Sequence, residues 1–272
     1  MQSHTVSGGG GTDIHVEEAG DADGQAILFI HGYTQSRRSW KRQFESGLAD
    51  DFRLVALDNR GHGRSAKPEG AYGESELWAD DIQSVIDSLE LEQPVLVGWS
   101  YGGLVISDYL SKYGDERIAG VNFVGAISKI GTDAATAVIG EDFIDRVPGF
   151  ESDTVEESVT ALETFLNDCM YNDPSEDDLL FMLGFNVLVP PHVRESLHSR
   201  TVTRDDDLRA IEKPVRITHG EEDTIVLPDA ATEHAELITT SETSFYPDVG
   251  HSPFWEAPDR FNRELREFVE AL

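Results

Sequence analysis

Three side chains far apart in this chain could together cleave an acyl bond. Ser100 sits in Gly98-Trp99-Ser100-Tyr101-Gly102, a G-x-S-x-G pattern placed directly after the apolar run Val95 to Val97 and directly before a helix-like segment. The letters alone are weak evidence; the placement between strand and helix is what points to a nucleophile on a tight turn. Glycines at 98 and 102 let strand and helix pass closely, and the turn aims the first N–H groups of the following helix, including that of Tyr101, at a developing oxyanion. A serine hydroxyl is a weak nucleophile and needs a base, which in turn needs an orienting acid. His251, in Gly250-His251-Ser252-Pro253, lies just past the last predicted strand. The run His219-Gly220-Glu221-Glu222-Asp223 follows another strand and holds three carboxylates, so the acid is one of three until something else decides. Nucleophile, acid and base occur in that chain order.

These residues must be carried by strands that end together. Short apolar, β-branched runs predict strands over Asp13 to Glu17, Ala26 to Ile30, Arg53 to Leu57, Pro94 to Val97, Gly120 to Val124, Val215 to Thr218 and Ser244 to Tyr246. Several are almost wholly apolar, as parallel strands buried on both faces are. Between them Trp78, Ile82, Val85, Ile86 and Leu89 recur at helical spacing, and Leu104 to Tyr113 and Arg260 to Leu272 read the same way. The fold class is therefore α/β, with a mostly parallel sheet flanked by helices.

The alternation stops between residues 128 and 208, which read as helical and without a strand. Thr154 with Glu157 predicts a capping box, followed by Val155, Val159, Leu162, Phe165, Leu166, Cys169 and Met170 on one face. Asp173 and Pro174 predict the start of a further helix. The expected organisation is a flexible glycine-rich leader over 1–11, a core over 12–127 and 209–272, and a helical cap over 128–208.

With these motifs in order, the chain resembles the α/β-hydrolase superfamily over nearly its full length, and is similar to bacterial non-haem chloroperoxidases and arylesterases. The resemblance rests on His31-Gly32-Tyr33, Asp58-Asn59-Arg60-Gly61-His62-Gly63-Arg64-Ser65, Gly98 to Gly102, Gly220 to Asp223 and Gly250-His251. It implies Ser100 as nucleophile, His251 as base and then acid, Asp223 as the orienting acid by its offset from Gly220, and an oxyanion hole from the backbone N–H groups of Tyr33 and Tyr101. A serine nucleophile excludes relatives that use aspartate there. In relatives that use hydrogen peroxide well, a proline follows the oxyanion-hole residue; here Thr34 stands in that place. Thr34, beside Gln35, is thus expected to bind substrate, and Trp99 is a second candidate wall. Esterase or lactonase activity is favoured over perhydrolysis, and a slow ligand sensor is the rival from outside catalysis.

The remaining histidines have plainer readings. His31 and His62 sit in glycine-rich turns and are expected to orient loops, His219 is expected to be structural, and His192 and His198 make a poor metal site. No cofactor or metal is expected. The cap residues Phe143, Phe150, Phe181, Met182 and Phe185 are expected to be mostly core, with a minority lining a pocket over Ser100.

Composition bounds the partners. Fifty-two acidic residues against 21 basic ones leave a net charge of −31, with only five lysines among the cations. That repels nucleic acid and anionic membranes, so a small ester is the expected partner, with homo-oligomerisation left open. A shell of this charge loosens the compact state in dilute buffer and is screened by salt, which predicts a protein adapted to high salt. The lone Cys169 excludes an intrachain disulfide, and Met1 to Gly11 has neither the basic nor the apolar part of a signal peptide. A cytoplasmic location is the expectation.

Overall fold

The computed structural model describes residues 1–272 and is built around one eight-stranded sheet. In chain order its strands are β1 (Gln2–Ser7), β2 (Asp13–Gly20), β3 (Ala26–Ile30), β4 (Arg53–Leu57), β5 (Val95–Trp99), β6 (Gly120–Val124) and, after an intervening ribbon of β7 (Lys129–Ile130) and β8 (Val202–Thr203), β9 (Val215–Gly220) and β10 (Ser241–Tyr246). The spatial order is β1-β2-β4-β3-β5-β6-β9-β10. The pairs β1/β2 and β2/β4 are antiparallel, and every later pairing is parallel.

Burial on both faces explains the unbroken apolar strands. In β3, Ala26, Leu28 and Ile30 enter one core while Ile27 and Phe29 enter the other, so alternate residues serve opposite sides of the sheet. Helices Ser75–Ser88 and Tyr101–Tyr113 pack together on one side, with Trp78, Ile82 and Leu104 in that core. Trp40, Phe254, Phe261 and Leu265 cover the other side, the last two from helix Pro258–Glu270. From β3 the chain crosses to β4 on one side and later to β5 on the other. Loops at the carboxyl ends of β3 and β5 therefore open a crevice where strand order reverses, the usual place for a ligand in such sheets. No helix is long and apolar enough to cross a membrane.

Three expectations need correction. Residues 1–11 do not form a flexible leader: Gln2–Ser7 is a strand in register with β2, and the Gly9 N–H donates to Asp81 Oδ1 at 2.8 Å. Arg60 clasps the same turn, bonding the Gly9 carbonyl at 3.0 Å and Asp81 at 2.7 Å. Glycine is required there by crowding, since a Cβ on Gly9 would lie 2.4 Å from the Leu77 carbonyl oxygen. The helical stretch over 128–208 is closed at its neck by the antiparallel β7/β8 pair, two residues each and too short to carry a period. The caps also differ. Thr154 makes no side-chain cap; the Ser152 hydroxyl accepts from the Thr154 N–H at 3.0 Å and donates to Glu157 at 2.6 Å. The helix expected at Asp173 starts instead at Glu176, where the Ser175 hydroxyl accepts from the Asp178 N–H.

Candidate active site

Ser100 lies between β5 and helix Tyr101–Tyr113 with φ 55° and ψ −120°, a conformation that side-chain-bearing residues rarely adopt. The neighbours enforce it. A Cβ on Gly102 would lie 2.3 Å from the Ile30 carbonyl oxygen, and one on Gly98 would lie 2.5 Å from Ile106 Cδ1. Only glycine allows β3, β5 and the helix to approach this closely, so the strained turn is held by packing on three sides. Tyr101 is the first helical residue, and its N–H has no intrahelical acceptor.

The turn after β3 runs against the same point. A Cβ on Gly32 would lie 2.9 Å from that of Ser100, and the Tyr33 N–H that follows makes no backbone hydrogen bond. The Tyr33 and Tyr101 N–H groups thus come from two separate segments that meet beside Ser100.

His251 and Asp223 come from the last two strands. His251 Nδ1 lies 2.7 Å from Asp223 Oδ2, and Asp223 is 3% exposed. Glu221 and Glu222 are exposed to solvent, which separates the three carboxylates that the sequence left together. Asp223 Oδ1 accepts from the N–H groups of Ile225 at 2.9 Å and Val226 at 3.0 Å. Burial alone would raise its pKa, but the imidazoles of His251 and His219 hold it well below the usual carboxylate range. Because a carboxylate only accepts, His251 Nδ1 carries the proton and Nε2 keeps its lone pair. That Nε2 is buried without a partner, and the Ser100 hydroxyl is not hydrogen-bonded to it in this conformation. The two residues nonetheless meet at one corner: the Ser100 N–H donates to the Val124 carbonyl at 3.0 Å, and a Cβ on the next residue, Gly125, would lie 3.1 Å from His251 Nδ1.

A cavity of about 180 Å³ opens above Ser100, lined mainly by apolar side chains, among them Phe143 and Phe165 from the inserted helices and Ile225 from the Asp223 loop. A more voluminous open trough of about 1140 Å³ runs along Ala22–Ala26 and Glu90–Gln93, at the amino-terminal ends of β3 and β5. It contains none of the residues above, whereas the carboxyl-end cavity is lined by Ser100.

The structure does not bring Thr34 and Trp99 to this cavity. Thr34 is fully buried, with its hydroxyl 2.7 Å from the Tyr33 carbonyl and 2.5 Å from the Asn186 amide, so it ties the β3 turn to helix Glu176–Asn186. Trp99 lies under the base: its indole N–H donates to the His251 carbonyl at 2.8 Å, and its ring meets that of Phe254 edge-on. Of these cap residues, Phe143 lines the cavity while Phe150, Met182 and Phe185 are buried in the core. His31 is a loop clasp, accepting from the Asn59 N–H at 2.9 Å and donating to the Gly32 carbonyl at 2.8 Å.

Several site residues carried no signal in the sequence. His219, read as structural, approaches Asp223 Oδ2 at 3.1 Å and is the acid's second imidazole. Arg200 donates to the Tyr101 phenol oxygen at 2.9 Å and to Asp108 at 2.5 Å, joining the neck of the inserted helices to the helix that follows Ser100. His198 lines the cavity with Ser100. Arg200 and His198 lie in no motif and are brought in by packing of distant segments, whereas His219 immediately precedes the Gly220 to Asp223 run and is placed by the same loop as Asp223.

The model of the alpha/beta hydrolase family matches residues 27–264. A non-heme haloperoxidase of Rhodococcus erythropolis is 28% identical over 279 residues, covering 98% of this chain and 99% of its own. A bifunctional esterase/perhydrolase of Acinetobacter calcoaceticus is 26% identical over 275 residues, covering 96% and 97%. Among solved structures, the esterase RhEst1 from Rhodococcus sp. ECU1013 superposes with a TM-score of 0.95 at 36% identity, over 100% of both chains. With the reversal in strand order, the strained serine turn after β5 and the paired Asp223 and His251 loops, these likenesses place the chain in the α/β-hydrolase family.

Proposed function

We propose that the protein is a cofactor-independent serine esterase that works through an acyl-enzyme. The observation that carries this reading is the 2.7 Å contact between Asp223 and His251 Nδ1, which leaves the Nε2 lone pair free at the corner where Ser100 is held at φ 55°. Ser100 Oγ attacks the ester carbonyl and its proton passes to His251 Nε2; the imidazolium that forms faces the Asp223 carboxylate. The carbonyl oxygen, now negative, accepts from the Tyr33 and Tyr101 N–H groups. His251 then protonates the leaving alcohol, and water repeats the sequence on the acyl-Ser100 bond. The cavity volume suits small acyl or aryl esters; a cavity of about 150 Å³ already accepts benzene.

The names of the relatives favour a second use of the same Ser100, perhydrolysis with hydrogen peroxide in place of water. One observation ranks it lower. Thr34 has φ 58°, whereas a proline is confined near −65°, so the β3 turn takes a path closed to the proline of efficient peroxide users. We also propose that the −31 charge adapts the protein to concentrated salt and that it acts in the cytoplasm.

Stopped-flow release of p-nitrophenol from p-nitrophenyl butanoate tests the main reading. A burst equal to the enzyme concentration, abolished in Ser100→Ala, is expected. Turnover by Ser100→Ala at the parent rate overturns it. Comparing ester hydrolysis with peroxide-dependent halogenation in acetate ranks the two uses of Ser100.

A further inference from the structure

Asp223 has one close neighbour that the reaction just described does not use. Its Oδ1 accepts from the Ile225 and Val226 N–H groups, and His251 Nδ1 lies 2.7 Å from Oδ2. His219 Nε2 stands 3.1 Å from the same Oδ2. His219 is the fifth residue of β9, paired across the sheet with Phe245 of β10, and it is 1% exposed. Its Nε2 also lies 2.8 Å from the Val226 carbonyl oxygen. Both of these oxygens only accept, because the Asp223 carboxyl is held ionised, so Nε2 carries the ring proton and shares it between them, nearer the carbonyl.

Clasping the loop does not by itself account for this ring. The loop is already tied by the Leu227 N–H, which donates to the Val138 carbonyl at 2.9 Å, and by the Gly140 N–H, which donates to the Ile225 carbonyl at 3.0 Å. What the imidazole adds is the positive edge of an N–H dipole beside the oxygen that faces His251. Other titratable groups nearby do not compete for that oxygen. His234, of helix Asp229–Leu237, acts on His219 and is acted on by Lys129, and burial holds it neutral with its pKa lowered to about 3. Cys169 feels Asp223, Asp168, Glu256 and Arg146, and burial keeps it a thiol. His219 and His251 are the two rings that divide the charge of Asp223.

Resting on the reading of Asp223 and His251 as acid and base for Ser100, we propose that His219 is a positioning residue for the acid, its N–H holding Oδ2 against His251 and taking up part of the charge that His251 would otherwise feel. Without that N–H the carboxylate turns more of its charge on His251, the imidazolium is favoured, and the base loses its proton only at higher pH. The sign is the same whether or not His219 Nδ1 is also protonated. The carboxylate is also freer to turn, which slows acylation.

The test follows kcat/KM for p-nitrophenyl butanoate against pH, per active site counted from the acyl burst. In His219→Phe the acid limb should move up by about half a pH unit or more, and kcat per site should fall about 3- to 10-fold at the plateau. In His219→Gln, whose amide nitrogen can stand where Nε2 stands and donate, the limb should stay within about 0.2 pH unit of the parent. A ring that only fills space or clasps Val226 lowers the number of active sites and leaves the limb in place. An unmoved limb in His219→Phe, or one moved as far in His219→Gln, overturns the inference. Should the variants not fold, or the parent show no acyl burst, in which case the Ser100 reading fails instead, nitrogen-15 histidine spectra decide the inference separately. A His219 proton at Nε2 whose resonance moves upfield in Asp223→Asn supports it; an unprotonated Nε2, or a resonance that does not move, overturns it.

Discussion

The Glu256 carboxylate accepts a hydrogen bond from the Gly250 N–H at 2.9 Å, one residue before the proposed base. Its other oxygen accepts from the Tyr171 N–H at 2.7 Å, at the end of the inserted helices, and the Ser252 and Asn172 N–H groups add to the same cradle. The His251 N–H in turn donates to the Cys169 carbonyl at 3.0 Å. One half-buried acid thus sets the His251 loop against the cap. Burial raises its pKa despite the N–H groups that favour its charge.

Replacing Glu256 should therefore act on geometry at a distance from the substrate. Glu256→Ala is expected to lower kcat about 10- to 100-fold while KM changes less than about threefold, because a displaced base costs transition-state stabilisation rather than ground-state binding. Steady-state kinetics on a p-nitrophenyl ester checks the split; a rise in KM with kcat intact contradicts it.

The three adjacent carboxylates give a sharp contrast. Asp223→Asn should reduce kcat about 10³- to 10⁴-fold, since the amide presents the wrong donor pattern to His251 Nδ1. Glu222→Gln, at an exposed position, should stay within about twofold of the parent. Equal losses from both would place the acid elsewhere.

Arg200 is fully enclosed and bonded to Asp108, which also holds Arg204 at 2.8 Å. Arg200→Met should destabilise the fold by about 2–4 kcal/mol: breaking a buried pair costs about 3–5 kcal/mol, and Arg204 keeps part of the compensation. Urea denaturation measures it. A loss under about 0.5 kcal/mol would show the pair to be energetically idle.

Acid should weaken the fold through histidines that have no catalytic part. Burial holds His31, His62 and His234 at about 3. In the unfolded chain each takes a proton near its ordinary value of about 6.5, so between these limits the unfolded state binds more protons. Their contribution is therefore full above about pH 6.5 and declines as the pH falls toward 3, by up to about 1.4 kcal/mol per pH unit for each ring. Unfolding free energies at pH 7, 6 and 5 should show that decline, reduced in a His62→Gln variant that folds. A flat profile contradicts the buried neutral assignment.

The net charge of −31 predicts a salt response of stability. The melting temperature should rise by several degrees or more from dilute buffer to molar salt, as screening relieves repulsion among exposed carboxylates. Invariance across that range would remove the case for salt adaptation.

Much of this protein is legible before it folds. The apolar runs of β3, β4 and β5 announce buried parallel strands because burial on both faces leaves little room for polar positions, and the turn at Gly98 to Gly102 is readable because only glycine tolerates such contacts. Ser100 and His251 could be named for the same reason: each sits in a local pattern that chain sterics and strand ends impose. What needed the tertiary structure was everything decided between distant segments. Glu221, Glu222 and Asp223 are chemically alike in sequence, and only burial against His251 and His219 separates them. Gly8 to Gly11 looked flexible because glycine is the residue of both mobility and crowding, and at Gly8 and Gly9 the packing against Leu77, Arg60 and Asp81 is crowding. Thr34 looked like a ligand contact until Asn186, 152 residues away, took its hydroxyl. His198 had no motif at all, since a cavity wall is built from side chains that meet only after the inserted helices close over the sheet.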